Sequence, residues 1–183
     1  MKRPTQGRQA EPRPAFAGRP TSARLPEFEA LNQAHRAALQ MLHSLKQLVA
    51  QLQDQGLGEQ SRQSAREIVA FFNGPGRHHH EEEEREVFPG LLASTDLELV
   101  AHVHRLQQDH GWLEADWHEL QPHVQAVVEG YNGYDLPLLE AALPVFEALY
   151  LDHIALEETV VYPAAMRQKL ALINGQSGRS VAP

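Results

Sequence analysis

The sequence contains no cysteine among its 183 residues. This absence excludes disulfides, thiolate zinc sites, cysteine-ligated iron–sulfur clusters and thiol nucleophiles. The sequence also lacks any run of about 18 apolar residues, so no membrane-spanning helix is expected. Its first residues lack the apolar core of a secretory signal, and the simplest expected location is the cytoplasm. The length suits one domain.

Basic charge is also scarce. Lys and Arg number 16 against 24 Asp and Glu, which gives a net charge of −8. Because a nucleic acid partner requires a basic surface, none is expected. The chain has no Glu-x-x-His pair, no zinc-protease His-Glu-x-x-His, no phosphate-binding Gly-x4-Gly-Lys and no Gly-x-Ser-x-Gly. A classical enzyme is therefore not the first expectation, and the 11 histidines become the main clue to function.

The hydrophobic pattern predicts an all-α protein. Helical periodicity covers about 27–54, 60–72, 78–92, 97–129 and 137–170, with an interruption at 73–76 inside the second predicted helix, and no alternating strand pattern occurs. Short connections predict an antiparallel up-down-up-down four-helix bundle over residues 25–171. Residues 1–24 hold six basic residues and one acid, which predicts a disordered basic tail or, alternatively, a targeting leader. Residues 172–183 are expected to form a flexible C-terminal tail.

Three of the predicted helices carry an apolar stripe with a single polar position, and that position is histidine in each case: His35, His110 and His153. In the last helix the predicted stripe is Leu139, Ala142, Phe146, Leu149, His153, Leu156 and Val160. One buried histidine is usually a hydrogen-bonded packing residue, but three unpaired ones would cost roughly 1–3 kcal/mol each. The remaining histidines off the stripes are predicted to be solvated: His43, His102, His104, His118 and His123.

The heights of the histidines agree. In an up-down bundle, two residues lie at one level when they are equidistant from the turn that joins their helices. The midpoint of His35 and His79 is residue 57, that of His79 and His110 is 94.5, and that of His110 and His153 is 131.5. All three midpoints fall in predicted turns. One histidine from each helix is therefore expected in a single layer of the core.

An internal repeat adds carboxylates to this layer. Residues 79–89 and 153–163 each show a histidine, a glutamate four residues later, a second glutamate, an aromatic residue and a proline. Since residues i and i+4 share a helix face, His79 with Glu83 and His153 with Glu157 point inward together. The apolar residues that follow point more nearly over His80, which stays a reserve ligand. The rest of 81–86 is expected to be a solvated acidic face.

Four imidazoles and two carboxylates suit iron, manganese or zinc, and two carboxylates can bridge two metal ions. The predicted ligand set is His35, His79, Glu83, His110, His153 and Glu157. Without metal, this layer would be a costly polar gap in the core. Because imidazole binds metal only when neutral, affinity is expected to fall below about pH 6.5.

On these residues the chain resembles the hemerythrin-like family, the HHE cation-binding domains. The resemblance rests on His35, His110 and the two repeated segments, and covers about residues 27–170. It implies a four-helix bundle with a non-haem di-iron centre that reacts with O2 or related small molecules. Oxygen-carrying hemerythrins have a second histidine where this chain has Glu114, and an aspartate on the last helix where it has glutamates. The resemblance thus implies the subclass whose roles include iron, oxygen or nitric oxide sensing and repair of iron centres.

Three alternatives remain open for Glu114: a ligand, a partner of a ligand, or a surface residue paired with His118. Two functions also remain open. The first is a di-iron protein that binds or senses O2, peroxide or nitric oxide. The second is a non-enzymatic metal-responsive module that uses the basic tail and Trp112 to contact a protein partner. Loss of helicity on chelation would favour the second.

Overall fold

The computed structural model describes residues 25–177, and this part of the chain is helical without strands. The helices are α1 (Pro26–Gln55), α2 (Glu59–Asn73), α3 (Pro75–Glu82), α4 (Phe88–Leu92), α5 (Leu97–Glu129), α6 (Leu136–Leu156) and α7 (Tyr162–Ser177). Two π-helical turns, Glu83–Val87 and Glu157–Val161, join α3 to α4 and α6 to α7. The bundle therefore has four rods: α1, α2–α4, α5 and α6–α7. Because α1 and α5 each pack against α2 and α6, the predicted all-α four-helix bundle is confirmed.

Local signals in the sequence set the ends of the long helices. Asp96 caps α5 by accepting hydrogen bonds from the next turn's N–H groups, and Asp135 caps α6 in the same way. Gly130 ends α5 with φ 78°, a left-handed conformation that favours glycine. Gly56 follows α1 with φ 72°. The turns used to match the heights of the histidines are therefore present.

Each π-helical turn begins at the glutamate of the repeat and ends before an aromatic–proline pair. The Phe88 N–H donates to the Glu83 carbonyl, and the Tyr162 N–H donates to the Glu157 carbonyl. Proline explains the position, because in a regular α-helix its ring clashes with the carbonyl four residues earlier. Each turn accommodates one extra residue and shifts the buried face by one position. Because of this shift, the apolar residues after the first turn share a face with His79, whereas a regular helix would align them with His80.

The buried face of the last rod differs from the predicted stripe. Four predicted members are only partly buried, namely Ala142, Leu149, Leu156 and Val160. Their neighbours Leu143, Tyr150, Glu157 and Val161 are buried instead. The prediction was wrong here because this rod packs against both α1 and α5, and apolar residues occupy both adjacent positions. Glu157, which had seemed off the stripe, is central to it.

Two clusters of buried apolar side chains form the core. One contains Leu45, Leu120 and Phe146, and the other contains Phe28 and Phe88. The buried histidines lie between them, since His80 is 6.0 Å from the Tyr150 ring on one side and His110 is 5.6 Å from the Phe88 ring on the other. The five histidines predicted to be solvated are exposed or half-buried.

The structure describes part of one of the two predicted tails, residues 172–177. Helix α7 continues to Ser177, through the first residues of the segment expected to be a flexible tail. The predicted basic tail, 1–24, lies outside the described residues. Among residues 25–177, none of the helices combines the length and apolarity needed to cross a membrane.

Candidate metal centre

Seven buried side chains from all four rods meet in one layer, each at most 7% exposed: His35, His79, His80, Glu83, His110, His153 and Glu157. The structure brings together all six predicted ligands and adds His80. Ring centroids are 4.8 Å apart for His35 and His79, and 4.8 Å apart for His110 and His153. The expectation of one shared layer is confirmed.

The first group of potential ligands contains His35, His79, Glu83 and Glu157, whose ligand atoms lie within 4.8 Å of one another. The His35 Nε2 is 3.0 Å from the Glu157 Oε2, and the His79 Nε2 is 3.6 Å from the Glu83 Oε1. The four-residue spacing in α3 and the adjoining turn places His79 over Glu83. This group offers two imidazole nitrogens and two carboxylates.

The second group contains His110 and His153 with the same two carboxylates. The His110 Nε2 is 3.4 Å from the Glu83 Oε2, and the His153 Nε2 is 3.2 Å from the Glu157 Oε2. The two groups therefore share Glu83 and Glu157, one from each copy of the repeat. Carboxylates shared in this way are suited to bridging two cations.

His80 forms a third group with His110 and His153, without the carboxylates. Its ligand atom lies within 4.8 Å of those of His110 and His153, and its ring stacks on His110 at 4.2 Å. Adjacent residues on a helix point about 100° apart, so His79 and His80 can serve different groups. His80 was only a reserve ligand in the sequence because the repeat aligns His79, not His80, with His153, and the break at 73–76 makes the phase of the helix unsafe to extrapolate. The third group thus overlaps the second at His110 and His153.

A carboxylate lies near the Nδ1 of three imidazoles, on the side of the ring away from Nε2. The Glu158 Oε1 is 3.0 Å from the His35 Nδ1, and the Glu84 Oε1 is 2.8 Å from the His110 Nδ1. The Asp109 Oδ2 lies 3.8 Å from the His153 Nδ1, which is beyond hydrogen-bond distance, and neither atom has another hydrogen-bond partner. A carboxylate that accepts the Nδ1 proton leaves the Nε2 lone pair free for a metal ion. The second glutamate of each repeat therefore has a role that the expectation of a solvated acidic face missed.

Burial and charge set the protonation of the layer. Burial lowers the pKa of His79 to about 4 and holds that of His80 well below 6.5. Burial is the largest single influence on the pKa of His35 and lowers it, but the hydrogen bonds and negative charges of Glu157, Glu158 and Glu83 together outweigh burial, and the net shift is upward. Burial, together with the charge of Glu83, raises the pKa of Glu157 well above 4.5. Near neutral pH, His79 and His80 are thus already in the form that binds metal.

The layer fits a cation. In the described part of the chain, buried polar atoms without a hydrogen-bond partner include both ring nitrogens of His79 and His153, the His110 Nε2, the Glu83 Oε2 and both oxygens of Glu157. Each such atom costs roughly 1–3 kcal/mol. Nitrogen and carboxylate oxygen are donors that iron, manganese and zinc accept, so bound cations would satisfy the carboxylate oxygens and one nitrogen of each imidazole.

A tyrosine completes one side of the layer. The Tyr162 hydroxyl donates to the Glu83 Oε1 and lies 3.1 Å from the His35 Nε2, while its ring stacks on His35 at 5.3 Å. Phe88, its counterpart in the repeat, stacks on His110 at 5.6 Å without a hydroxyl. In the sequence these two residues are only the aromatic position of the repeat, and nothing there distinguishes the tyrosine hydroxyl as part of the layer.

Glu114 lies outside the layer. Its side chain is 57% exposed, and its Oε1 is 3.2 Å from the Arg77 Nε. Of the three alternatives, the surface residue is correct, but its partner is Arg77 rather than His118.

Comparison with known proteins gives a family match. The family model described as the hemerythrin HHE cation binding domain matches residues 27–165, a range that contains every side chain of the seven-residue layer. No curated protein and no solved structure was found to match the chain.

Proposed function

The chain belongs to the hemerythrin HHE cation-binding domain family, and we propose that it is a non-haem di-iron protein that binds or senses O2, peroxide or nitric oxide. The observation that carries the proposal is the pair of buried carboxylates, Glu83 and Glu157, shared by two groups of histidines. Roles in iron homeostasis or in repair of iron centres are compatible with the same site.

His35 and His79 would hold one ion, and His80, His110 and His153 the other, with Glu83 and Glu157 between them. When bound, the iron ions would supply redox chemistry and a coordination position for a small ligand. The protein's part is to orient the imidazoles of His110 and His35 through Glu84 and Glu158, and to bury the layer between two apolar clusters.

The distribution of imidazoles supports an open position on one side. His35 and His79 are the two imidazoles of one group, whereas the two imidazoles of the other, His110 and His153, also lie within 4.8 Å of the ligand atom of His80. In oxygen-carrying hemerythrins the third helix supplies a second histidine, and here that position is the exposed Glu114. We infer that His80, from the second rod, supplies the fifth imidazole instead. Manganese or zinc would suit the same donors, so the identity of the metal needs measurement.

The test is an anaerobic titration of metal-free protein with ferrous iron, followed by exposure to air in an absorption spectrometer. We expect saturation at two iron ions per chain and new near-ultraviolet and visible bands on oxygenation. Reversal on degassing would favour carrying or sensing, and irreversible oxidation would favour redox chemistry or repair. Saturation at one ion, or no response to air, contradicts the di-iron proposal.

The ligand set is tested with His110→Ala in the same titration. His110 is buried in the layer, so its loss removes a nitrogen and leaves a cavity, and we expect the variant to lose metal. His104→Ala, which changes an exposed histidine of the same helix, is the control. If His110→Ala still binds two ions, the proposed ligands are wrong.

A metal-responsive interaction module is the second candidate. The observation that favours it is Trp112, which is 51% exposed on α5 close to the layer. A large exposed aromatic side chain is typical of a contact surface. The two candidates differ in whether the fold depends on metal.

A further inference from the structure

A cavity of about 600 Å³ opens between the second rod and α5. Its walls include the aromatic rings of Phe72, Trp117 and Tyr150, and exposed Arg77 and Glu114 lie at its outer side. His80 lines it as well, so the cavity reaches the layer of potential metal ligands.

A second cavity, of about 10 Å³, lies on the inner side of this wall. It is lined by four of the imidazoles, those of His35, His79, His80 and His153, together with Tyr150. Its volume is roughly that needed to hold one water molecule. Only His80 and Tyr150 line both cavities, so these two side chains form the boundary between them.

The geometry points to the outer cavity as the route by which a diatomic or triatomic ligand reaches the centre, and to Tyr150 as the residue that receives it with a hydrogen bond from its hydroxyl. This inference rests on the proposed function, because the ligand's destination is the side with two imidazoles. The size of the inner cavity sets the size of the ligand, and the tyrosine hydroxyl requires a ligand that accepts a hydrogen bond.

Tyr150 is suited to this task. Its side chain is 4% exposed, its ring lies 6.0 Å from that of His80, and none of the side-chain hydrogen bonds found among residues 25–177 involves its hydroxyl. The hydroxyl is not one of the buried side-chain atoms that lack a hydrogen-bond partner among residues 25–177, so its oxygen is accessible from a cavity. A ligand that passes His80 and Tyr150 would accept a hydrogen bond from this hydroxyl.

Another cavity of similar size, about 590 Å³, does not offer this route. It lies at the opposite side of the second rod, between Phe28, Val87 and Lys169, and none of the seven side chains of the layer lines it.

Gly111 makes the route testable. It lines the outer cavity next to His110, and a Cβ built on it meets nothing within 4 Å. The Cβ of a side chain at this position therefore enters open space beside the cavity, which a large side chain is expected to narrow, and replacing glycine in a helix also favours the helix. Ala115, one turn later, lines the same cavity and offers a second variant. Gly175 in α7 also has open space around it and lies outside these cavities, so Gly175→Phe is the matched control.

The first arm of the experiment uses metal-free protein. In a Trp112→Phe background, Trp117 is the one remaining tryptophan, because the chain has two. It is 7% exposed but lines the cavity, so acrylamide should quench its fluorescence. Gly111→Phe and Ala115→Phe should each reduce this quenching several-fold, and Gly175→Phe should not. Unchanged quenching in both cavity variants would overturn the inference that the cavity admits small molecules.

The second arm uses iron-loaded protein with azide as the probe, after the iron content of each variant has been measured. Gly111→Phe should slow azide association several-fold at unchanged iron stoichiometry. Tyr150→Phe should leave association fast and weaken binding up to about tenfold, the effect of one hydrogen bond. If azide binds all variants like wild type, the route is wrong although the di-iron proposal stands. If wild type takes up no iron, the proposed function fails first, and the iron assay shows it before azide is added.

Discussion

At the scale of single residues, the carboxylates behind the imidazoles determine which ring nitrogen faces the layer. Glu84 and Glu158 occupy the same position in the two repeats and contact His110 and His35 through Nδ1. Each therefore fixes a histidine of another rod. Partners of this kind orient a ligand and raise its basicity. In each repeat the first glutamate thus lies in the layer of potential ligands, and the second hydrogen-bonds an imidazole.

Replacing Glu84 by alanine should weaken metal binding by roughly 10–100-fold, because the His110 ring loses the partner that fixes its tautomer. Glu86→Ala is the control, since Glu86 is exposed and pairs with Arg85. Competition with a chelator of known affinity measures both variants. Equal affinities for the two would show that Glu84 does not orient His110.

Metal binding should release protons near neutral pH. The pKa of His35 lies above 6.5 and that of Glu157 lies well above 4.5, so in the metal-free protein this pair retains protons that a cation must displace. His79, with a pKa of about 4, is already neutral and contributes none. Metal affinity should therefore fall as the pH drops through the pKa of His35, which lies above 6.5. A pH-stat titration with the metal measures the release, and an affinity that does not change between about pH 8 and pH 6 would contradict it.

At the scale of elements, the π-helical turns explain what the sequence could predict and what it could not. The four rods, the turns and the buried His35, His110 and His153 follow from regular helical periodicity, against which a buried polar residue is conspicuous. His80 and the exact face of the second rod could not be predicted in this way, because a π-helical turn adds a residue that a period of 3.6 does not include. One signal was present: Phe88 and Tyr162 lie five residues after Glu83 and Glu157, where a regular helix would place them four residues later.

Deleting Arg85 should therefore cost less than deleting a residue from a regular helix, although Pro89 then meets the carbonyl clash that the turn avoids. It is exposed within the first π-helical turn, and its removal places Phe88 four residues after Glu83, so that both stay on one face of a regular α-helix. Deleting the exposed Glu119 from α5 is the matched control. There the deletion rotates Trp117 by about 100° relative to Leu120, and both are buried. Thermal melts of the metal-free variants should show a much larger loss of melting temperature for the Glu119 deletion. Equal losses would mean that the π-helical turn does not contain a dispensable residue.

At the scale of the whole molecule, the polar layer divides the core into two apolar clusters. The larger cluster joins α1, α2, α5 and α6, and the smaller one joins the start of α1 with α4, α5 and α7. Each cluster buries leucine and aromatic side chains from several rods and contains no potential metal ligand. Apolar burial contributes about 25 cal/mol per Å², so the bundle has a driving force for folding that does not depend on a cation.

Chelation should consequently lower the melting temperature but leave the helicity at 25 °C nearly unchanged. Binding to the folded state alone adds RT ln(1 + [L]/Kd) for each ion, about 4 kcal/mol per ion when the free metal is 1,000 times its Kd, and chelation removes only these contributions. Far-ultraviolet circular dichroism and thermal melts with and without chelator measure the two quantities. His110→Ala should show a smaller rise in melting temperature on loading, since it lacks a ligand from the layer. A large loss of helicity on chelation would mean that the clusters cannot hold the fold, and would favour the metal-responsive module over a preformed di-iron site.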